Sequence, residues 1–406
     1  MRHNLYPVFA VLLLATLLLS ACAPAATPTP QVIVQTSAPV TVKETVQVPV
    51  QSTVVVTQVV AATKAATAVP GSVQINGAGA TFPLPIYTQW TYAYQYVDPA
   101  VAINYQGIGS GGGKKAIIDG TVDFAGSDSL VSDAEYTSGK DLQMYPALAG
   151  AVVVIYNVTG LAATDPAIIL DGKTLVGIYN ATIKTWNDPA IVALNPALKD
   201  KLPAKPITVV HRADGSGTTE IFTKALTSFS PDWKAGGAQS VEWPVDKAGS
   251  GVGGKGNPGV AAAVQNTPNS LGYVELDYAI PNKISYTQMI NKAGTTVTAN
   301  AESLLSAMND FADKFTDKLT NTIVDAPGAK SWPIAGYTYY VLHTTSMADC
   351  VKAQKILQYI NWTLTDATAA KAASTLGYAV LPDAIRTQVL AKLAQVTCKG
   401  QPVSIK

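Results

Sequence analysis

Three stretches of this chain concentrate glycine and carry small hydroxyl side chains at the start of a probable helix: residues 76–83 (NGAGATFP), 106–114 (QGIGSGGGK) and 211–219 (HRADGSGTT). The third also carries an arginine. Glycine lets one backbone come close to another or to a ligand, and a helix beginning there presents unpaired N–H groups with partial positive charge. Around these stretches, strand-like and helix-like patterns alternate. Residues 101–105, 152–156, 208–210 and 337–342 read as strands, 114–118 and 220–226 as helices, and 351–362 has Ile356, Leu357 and Ile360 at helical spacing. The alternation predicts an α/β fold with mainly parallel sheets. It places the glycine stretches where strands hand over to helices, the crevice in which open α/β sheets bind ligands. Helix starts of this kind suit a tetrahedral oxyanion.

The N-terminus sets the compartment. Arg2 and His3 precede an apolar run at residues 8–19 that is too short for a membrane span, and Leu19-Ser20-Ala21-Cys22 follows. Small residues before a cysteine resemble a bacterial lipoprotein signal, with residues 1–21 removed and Cys22 lipidated; an ordinary signal peptide with an incidental cysteine is the alternative. Residues 22–70 are rich in Thr, Val and Pro, lack glycine and aromatic side chains, and carry only Lys43, Glu44 and Lys64 as charges. They read as an extended stalk, although valine runs such as 54–56 leave a hairpin or self-association open. Residues 71–406 are long enough for two domains.

Composition narrows the function. With 28 Lys and Arg against 27 Asp and Glu and no basic run, nucleic-acid binding is disfavoured. Three histidines and no cluster with metal-ligand spacing predict neither metal nor cofactor. Cys350 and Cys398 in an exported domain are compatible with one disulfide pinning the C-terminal tail to the start of a late helix, or with two separately buried thiols. Trp90, Tyr92, Tyr94 and Tyr96 fall on what reads as one helix, where packing is favoured over a carbohydrate face.

The glycine stretches, together with residues 122–128 (VDFAGSD), resemble the extracytoplasmic phosphate-binding protein of bacterial phosphate ABC importers, the PstS family. The resemblance runs from about Gly71 to near the C-terminus and includes residues 171–175 (DGKTL), 254–257 (GKGN), 272–275 (GYVE) and the Trp-Pro pairs at Trp243 and Trp332. It implies a two-lobed, type II periplasmic-binding-protein-like fold, each lobe a mainly parallel sheet flanked by helices. Residues 71–148 plus 331–406 would form one lobe and 149–330 the other, with crossings near Leu148 and Trp332. Phosphate would be held by Thr81, Phe82, Ser110, Asp128, Arg212, Ser216, Gly217 and Thr218. The chain would be a monomer and no enzyme, tethered by lipid outside the cytoplasm and delivering phosphate to an ABC permease. Departures from the family pattern are Gly111 in place of serine, His211 in place of arginine, Pro258 where an acid is common, and a longer glycine run at 249–256.

Rival motifs are weaker. Gly107, Gly109 and Gly112 with Asp128 mimic a dinucleotide fingerprint, but export argues against that cofactor. Gly249, Gly254 and Lys255 mimic a P-loop, yet Gly256 replaces the metal-binding hydroxyl, so a flexible loop is expected. Residues 345–348 (TSMA) resemble a subtilisin-type serine motif and read instead as a helix N-cap. His211, Asp214 and Ser216 are too close in sequence for a catalytic triad. Arg212 bonded to both phosphate and Asp214 is favoured over a surface pair, since a guanidinium can fork between two oxygens. Asp128 fits an anion site as acceptor of the proton phosphate retains and sulfate lacks; capping a helix or pairing with Arg212 is the alternative. An exported phosphoesterase using Ser216 or Ser110 would lack a metal set or general base, and only the stalk suggests a scaffolding lipoprotein.

Overall fold

A computed structural model describes residues 72–405; the expected signal, Cys22 and the stalk lie outside the described residues. Eight strands form the spine of one continuous sheet: β1 (Val73–Gly79), β2 (Val101–Gly107), β3 (Phe124–Ser127), β4 (Leu142–Asn157), β5 (Thr208–Arg212), β6 (Gly251–Gly254), β7 (Ser270–Glu275) and β8 (Ala335–His343). Their order is β2-β1-β3-β8-β4-β7-β5-β6. The three strands at each end run parallel to one another. The middle pair, β8 and β4, is antiparallel within itself and to its flanking neighbours.

β4 belongs to both halves. Its first part pairs with β8 as far as Ala151, and from Val152 it pairs with β7 instead. Ala151, Val152, Val153, Val154 and Ile155 are fully buried, as the continuous apolar run of a strand covered on both faces demands. The sequence pattern reveals only this second part. Pro146 in the first part lacks an N–H, and the register slips beside it between Thr338 and Tyr339, the kind of irregularity that accommodates proline inside a sheet.

At the partner change two glycines face each other, Gly150 and Gly336. A methyl group on Gly336 would lie 2.3 Å from Ile221 Cδ1, and one on Gly150 2.6 Å from Phe82 Cζ. Gly336→Ala is therefore expected to lower stability by about 1–3 kcal/mol through overpacking, read from a urea melt. A parental midpoint would mean that the neighbours yield freely.

Four helices follow strands directly: α1 (Leu84–Tyr94) after β1, α2 (Ser110–Ile118) after β2, α3 (Gly217–Phe229) after β5, and α4 (Gly256–Asn266) after β6. Trp90 and Tyr94 of α1 are buried, and Trp90 Nε1 donates to Ala369 O at 2.9 Å, while Tyr92 and Tyr96 face solvent. The expected glycine loop at 251–254 is instead the edge strand β6, because pairing with β5 needs only backbone groups. A fifth helix, α5 (Cys350–Thr365), starts at a half-cystine bonded to Cys398, with 5.4 Å between the Cα atoms. Its N-cap is Asp349, which accepts from the N–H groups of Val351 and Lys352, and not Ser346. Ser346 donates its N–H and hydroxyl to Asp141. Among the described residues no helix is long and apolar enough to cross a membrane.

Candidate anion-binding site

The strand ends of both wings bring the N-termini of all four helices together. Ser110, the first residue of α2, accepts from Asp128 N at 3.2 Å and from Gly217 N at 3.1 Å, so one hydroxyl ties the end of β3 to the start of α3 across the wings. Its own O–H faces Asp128 Oδ2 at 3.4 Å. Gly217 must be glycine for a spatial reason: a Cβ there would lie 2.5 Å from the carbonyl carbon of Asp128. Ser216 is the N-cap of α3 and accepts from Thr219 N at 3.1 Å.

Arg212 closes β5 and turns its guanidinium inward. Nε and Nη2 fork onto the two oxygens of Asp214 at 2.7 and 2.5 Å, and Nη1 reaches Thr218 Oγ1 at 3.4 Å. Asp214 Oδ1 also accepts from Gly256 N at 3.0 Å. Burial works against the Asp214 charge, but the guanidinium and this N–H overcome it and hold the carboxyl below its ordinary range. Thr81, in the turn before α1, accepts from Asn257 N at 3.1 Å, and Asn257 Nδ2 donates to Thr218 Oγ1 at 3.3 Å. The Phe82 ring packs into the core against Tyr378, so only its backbone is available to a ligand.

Asp128 is the electrostatic outlier. Burial pushes its carboxyl up to about 7, with a further push from Glu220, against the opposing Thr338 hydrogen bond, the Arg212 charge and the Ser110 hydroxyl. Thr338 Oγ1 donates to Asp128 Oδ1 at 2.8 Å. The carboxylate neither caps a helix nor bonds to Arg212. Of the eight residues named from sequence, hydrogen bonds join Ser110 with Asp128 and Gly217, and Arg212 with Thr218, to which Thr81 is linked through Asn257, while Ser216 caps α3 and the Phe82 ring lies in the core.

Sequence reasoning missed two participants. Asn257 stands in the GKGN stretch at a helix start, where a small polar side chain after glycine could have been read as a ligand-side group. Thr338 is the lone hydroxyl-aliphatic residue among the tyrosines of β8, a polar interruption in a buried strand. The departures stay at the margin. The His211 ring stacks on Trp243 at 5.0 Å and faces Asp246 Oδ1 at 2.8 Å, so no triad with Ser216 forms. Gly111 N donates to Gly215 O at 3.0 Å, and Pro258 lies in the first turn of α4, where its missing N–H is tolerated. Among the described residues no group of three or more His, Cys, Asp or Glu could hold a metal ion.

Over residues 62–367 the chain matches the family described as PBP superfamily domain. It is 39% identical over 322 residues to the phosphate-binding protein PstS of Xylella fastidiosa strain 9a5c, covering 78% of this chain and 84% of that protein. It is 39% identical over 313 residues to the phosphate-binding protein PstS of Haemophilus influenzae, covering 76% and 89%. Among solved structures, a high affinity periplasmic phosphate-binding protein (PfluDING) bound with phosphate at pH 8.5 matches with a TM-score of 0.63 at 23% identity, over 79% of this chain and 93% of that one. These likenesses fit a two-lobed, type II binding-protein fold.

Proposed function

Since this chain belongs to the PstS family of phosphate-binding proteins, we propose that it binds inorganic phosphate between its lobes and delivers it to the permease of an ABC importer. The observation that carries this reading is a pair of hydrogen-bonded groups, Ser110 with Asp128 and Gly217, and Arg212 with Thr218, Asn257 and Thr81, which adjoin where Gly217 precedes Thr218 at the start of α3. Thr81, Phe82, Ser110, Asp128, Arg212, Ser216, Gly217 and Thr218 hold the anion, and Asp214 fixes the guanidinium plane. Hydroxyl and N–H donors bind several oxygens without burying a surplus of charge.

The lobes comprise residues 71–148 plus 331–406 and residues 149–330. The partner change in β4, with Trp332 Nε1 donating to Val152 O at 3.0 Å beside it, supports a hinge there. Cys22 carries the lipid, and residues 22–70 tether a monomeric receptor outside the cytoplasm. The reading is of a receptor and not of an enzyme; the His211 and His343 rings are engaged with Asp246 and Asp141.

Calorimetric titration of the full chain is expected to give one phosphate per molecule, with no release of product from a chromogenic phosphate ester. Lack of binding, or turnover of the ester, refutes the reading. Cys22→Ala is expected to leave the membrane fraction with unchanged phosphate affinity; retention there would mean a different anchor.

A further inference from the structure

Behind Asp128, on the side away from the cluster, a second carboxylate crosses between the wings. Glu220, in the first turn of α3, accepts from Ser129 Oγ at 2.5 Å and from Leu130 N at 3.4 Å, the two residues that follow Asp128. Its other contact is Lys224 Nζ, 2.7 Å from Oε1. On the first wing the buried Lys114 Nζ donates to Ser129 Oγ at 3.0 Å, to Leu130 O at 3.0 Å and to Glu135 Oε2 at 3.1 Å. The segment carrying Asp128 is thus gripped by an acidic side chain on one side and a lysine on the other.

Asp128 and Glu220 also share a cavity. Its volume is about 20 Å³, and its walls include Leu130, Lys224, Tyr337 and Tyr339. That is room for about one water molecule. Tyr337, one of the lining residues, has a buried hydroxyl with no hydrogen-bond partner in the protein. The groups that act on Asp128 electrostatically are Arg212 from β5, Glu220 from α3, Glu275 from β7, Tyr87 from α1, Tyr105 from β2, and Tyr278.

We propose that Glu220 is a positioning residue for Asp128: it fixes the backbone that carries the carboxylate and, facing the same small cavity, makes Asp128 a stronger proton acceptor. The inference rests on the phosphate reading and extends it, because anion specificity would depend on a charge that never touches the ligand. A negative neighbour raises the proton affinity of a carboxylate, and Lys224 partly offsets that neighbour. The two side chains should therefore shift the site in opposite directions.

The experiment is equilibrium dialysis of labelled phosphate with the full chain, with sulfate as competitor, from pH 5 to 9. The phosphate-to-sulfate preference of the parent is expected to rise with pH through a midpoint. Glu220→Gln should move that midpoint to lower pH, on the order of one unit. Lys224→Met should move it to higher pH, and this half-exposed lysine can be replaced with little risk to folding. Opposite shifts support the proposal, since a purely structural role for either side chain would leave the midpoint where it was. Phosphate binding by the parent with unmoved midpoints in both variants overturns the role of Glu220 and leaves the phosphate reading standing. A parent that binds no phosphate at all overturns both.

Discussion

Arg212→Ala is expected to weaken phosphate binding by roughly a hundredfold to a thousandfold, because truncating one side of a buried, hydrogen-bonded charge pair, here guanidinium and anion, costs about 2–5 kcal/mol. The Arg212 side chain is 1% exposed and its partner Asp214 15%. Without the guanidinium, Asp214 keeps only backbone N–H donors, Gly256 N and its own, and becomes an unpaired negative charge beside an anion site. Loss of attraction and gain of repulsion then act together. Arg212→Lys should fall between the extremes, since an ammonium keeps the charge but cannot fork onto two carboxylate oxygens while reaching Thr218. Arg212→Ala combined with Asp214→Ala should regain stability in a urea melt without regaining affinity in calorimetry. A near-parental Kd for Arg212→Ala would remove this residue from the site.

Asp128→Asn is expected to admit sulfate and to reduce the preference for phosphate by several kcal/mol, roughly a thousandfold, because that is the scale of two acceptors or like charges forced together without water. An ionised Asp128 accepts the proton that phosphate still carries, whereas sulfate presents only acceptors. The pH dependence has a definite sign. The carboxyl titrates near 7 in the folded chain and near 4 when unfolded. Below the lower value its contribution to the stability of the empty protein is fully present, and it is lost as pH rises through about 7. In the same upward range the carboxylate becomes a pure acceptor, so discrimination against sulfate strengthens. On acidification Asp128 gains a proton it can donate to sulfate, and discrimination weakens. The Asn variant has no such proton, so its preference should keep only the pH dependence that phosphate itself brings. Competition titrations at pH 5 and 8 measure the difference; an unchanged preference in Asp128→Asn would mean that Asp128 is not the proton acceptor.

The parts of the fold legible in sequence are those in which one residue type meets a local backbone demand. Glycine and hydroxyl residues at helix starts mark α2 and α3, and the run from Val152 to Ile155 marks a strand buried on both faces. The parts that escape are set by pairing across long sequence distances. The first part of β4 contains Pro146 and Gly150 and looks like a break, yet β8 completes it from nearly two hundred residues away. β6 is almost wholly glycine and has no strand propensity of its own; its partner β5 supplies the order. Of the residues drawn from the resemblance, Ser110, Asp128 and Gly217 are joined by hydrogen bonds, as are Arg212 and Thr218; Asn257, after glycine at a helix start, was legible in kind, whereas Thr338 sits in a buried strand far from any glycine turn. Asp349 displaced Ser346 as a cap because Asp141 had already engaged the Ser346 hydroxyl and N–H.

The position of β8 between β3 and β4 governs the order in which the chain can become a protein. The sheet begins at β1, but the strand that fills its middle lies at residues 335–343, after β5, β6 and β7 have all been made. Until β8 arrives, β3 and the first part of β4 each present an unpaired edge, the surface that promotes association between chains. The second lobe has β5, β6 and β7 to hand much earlier and can assemble its parallel ladder from consecutive segments. A chain threaded outward from its N-terminus therefore emerges with its earlier half the last to mature. Pairing of β8 is a long-range closure, the class of contact that slows folding. The strand that joins β3 to β4 leaves both of their edges open until almost the end of the chain.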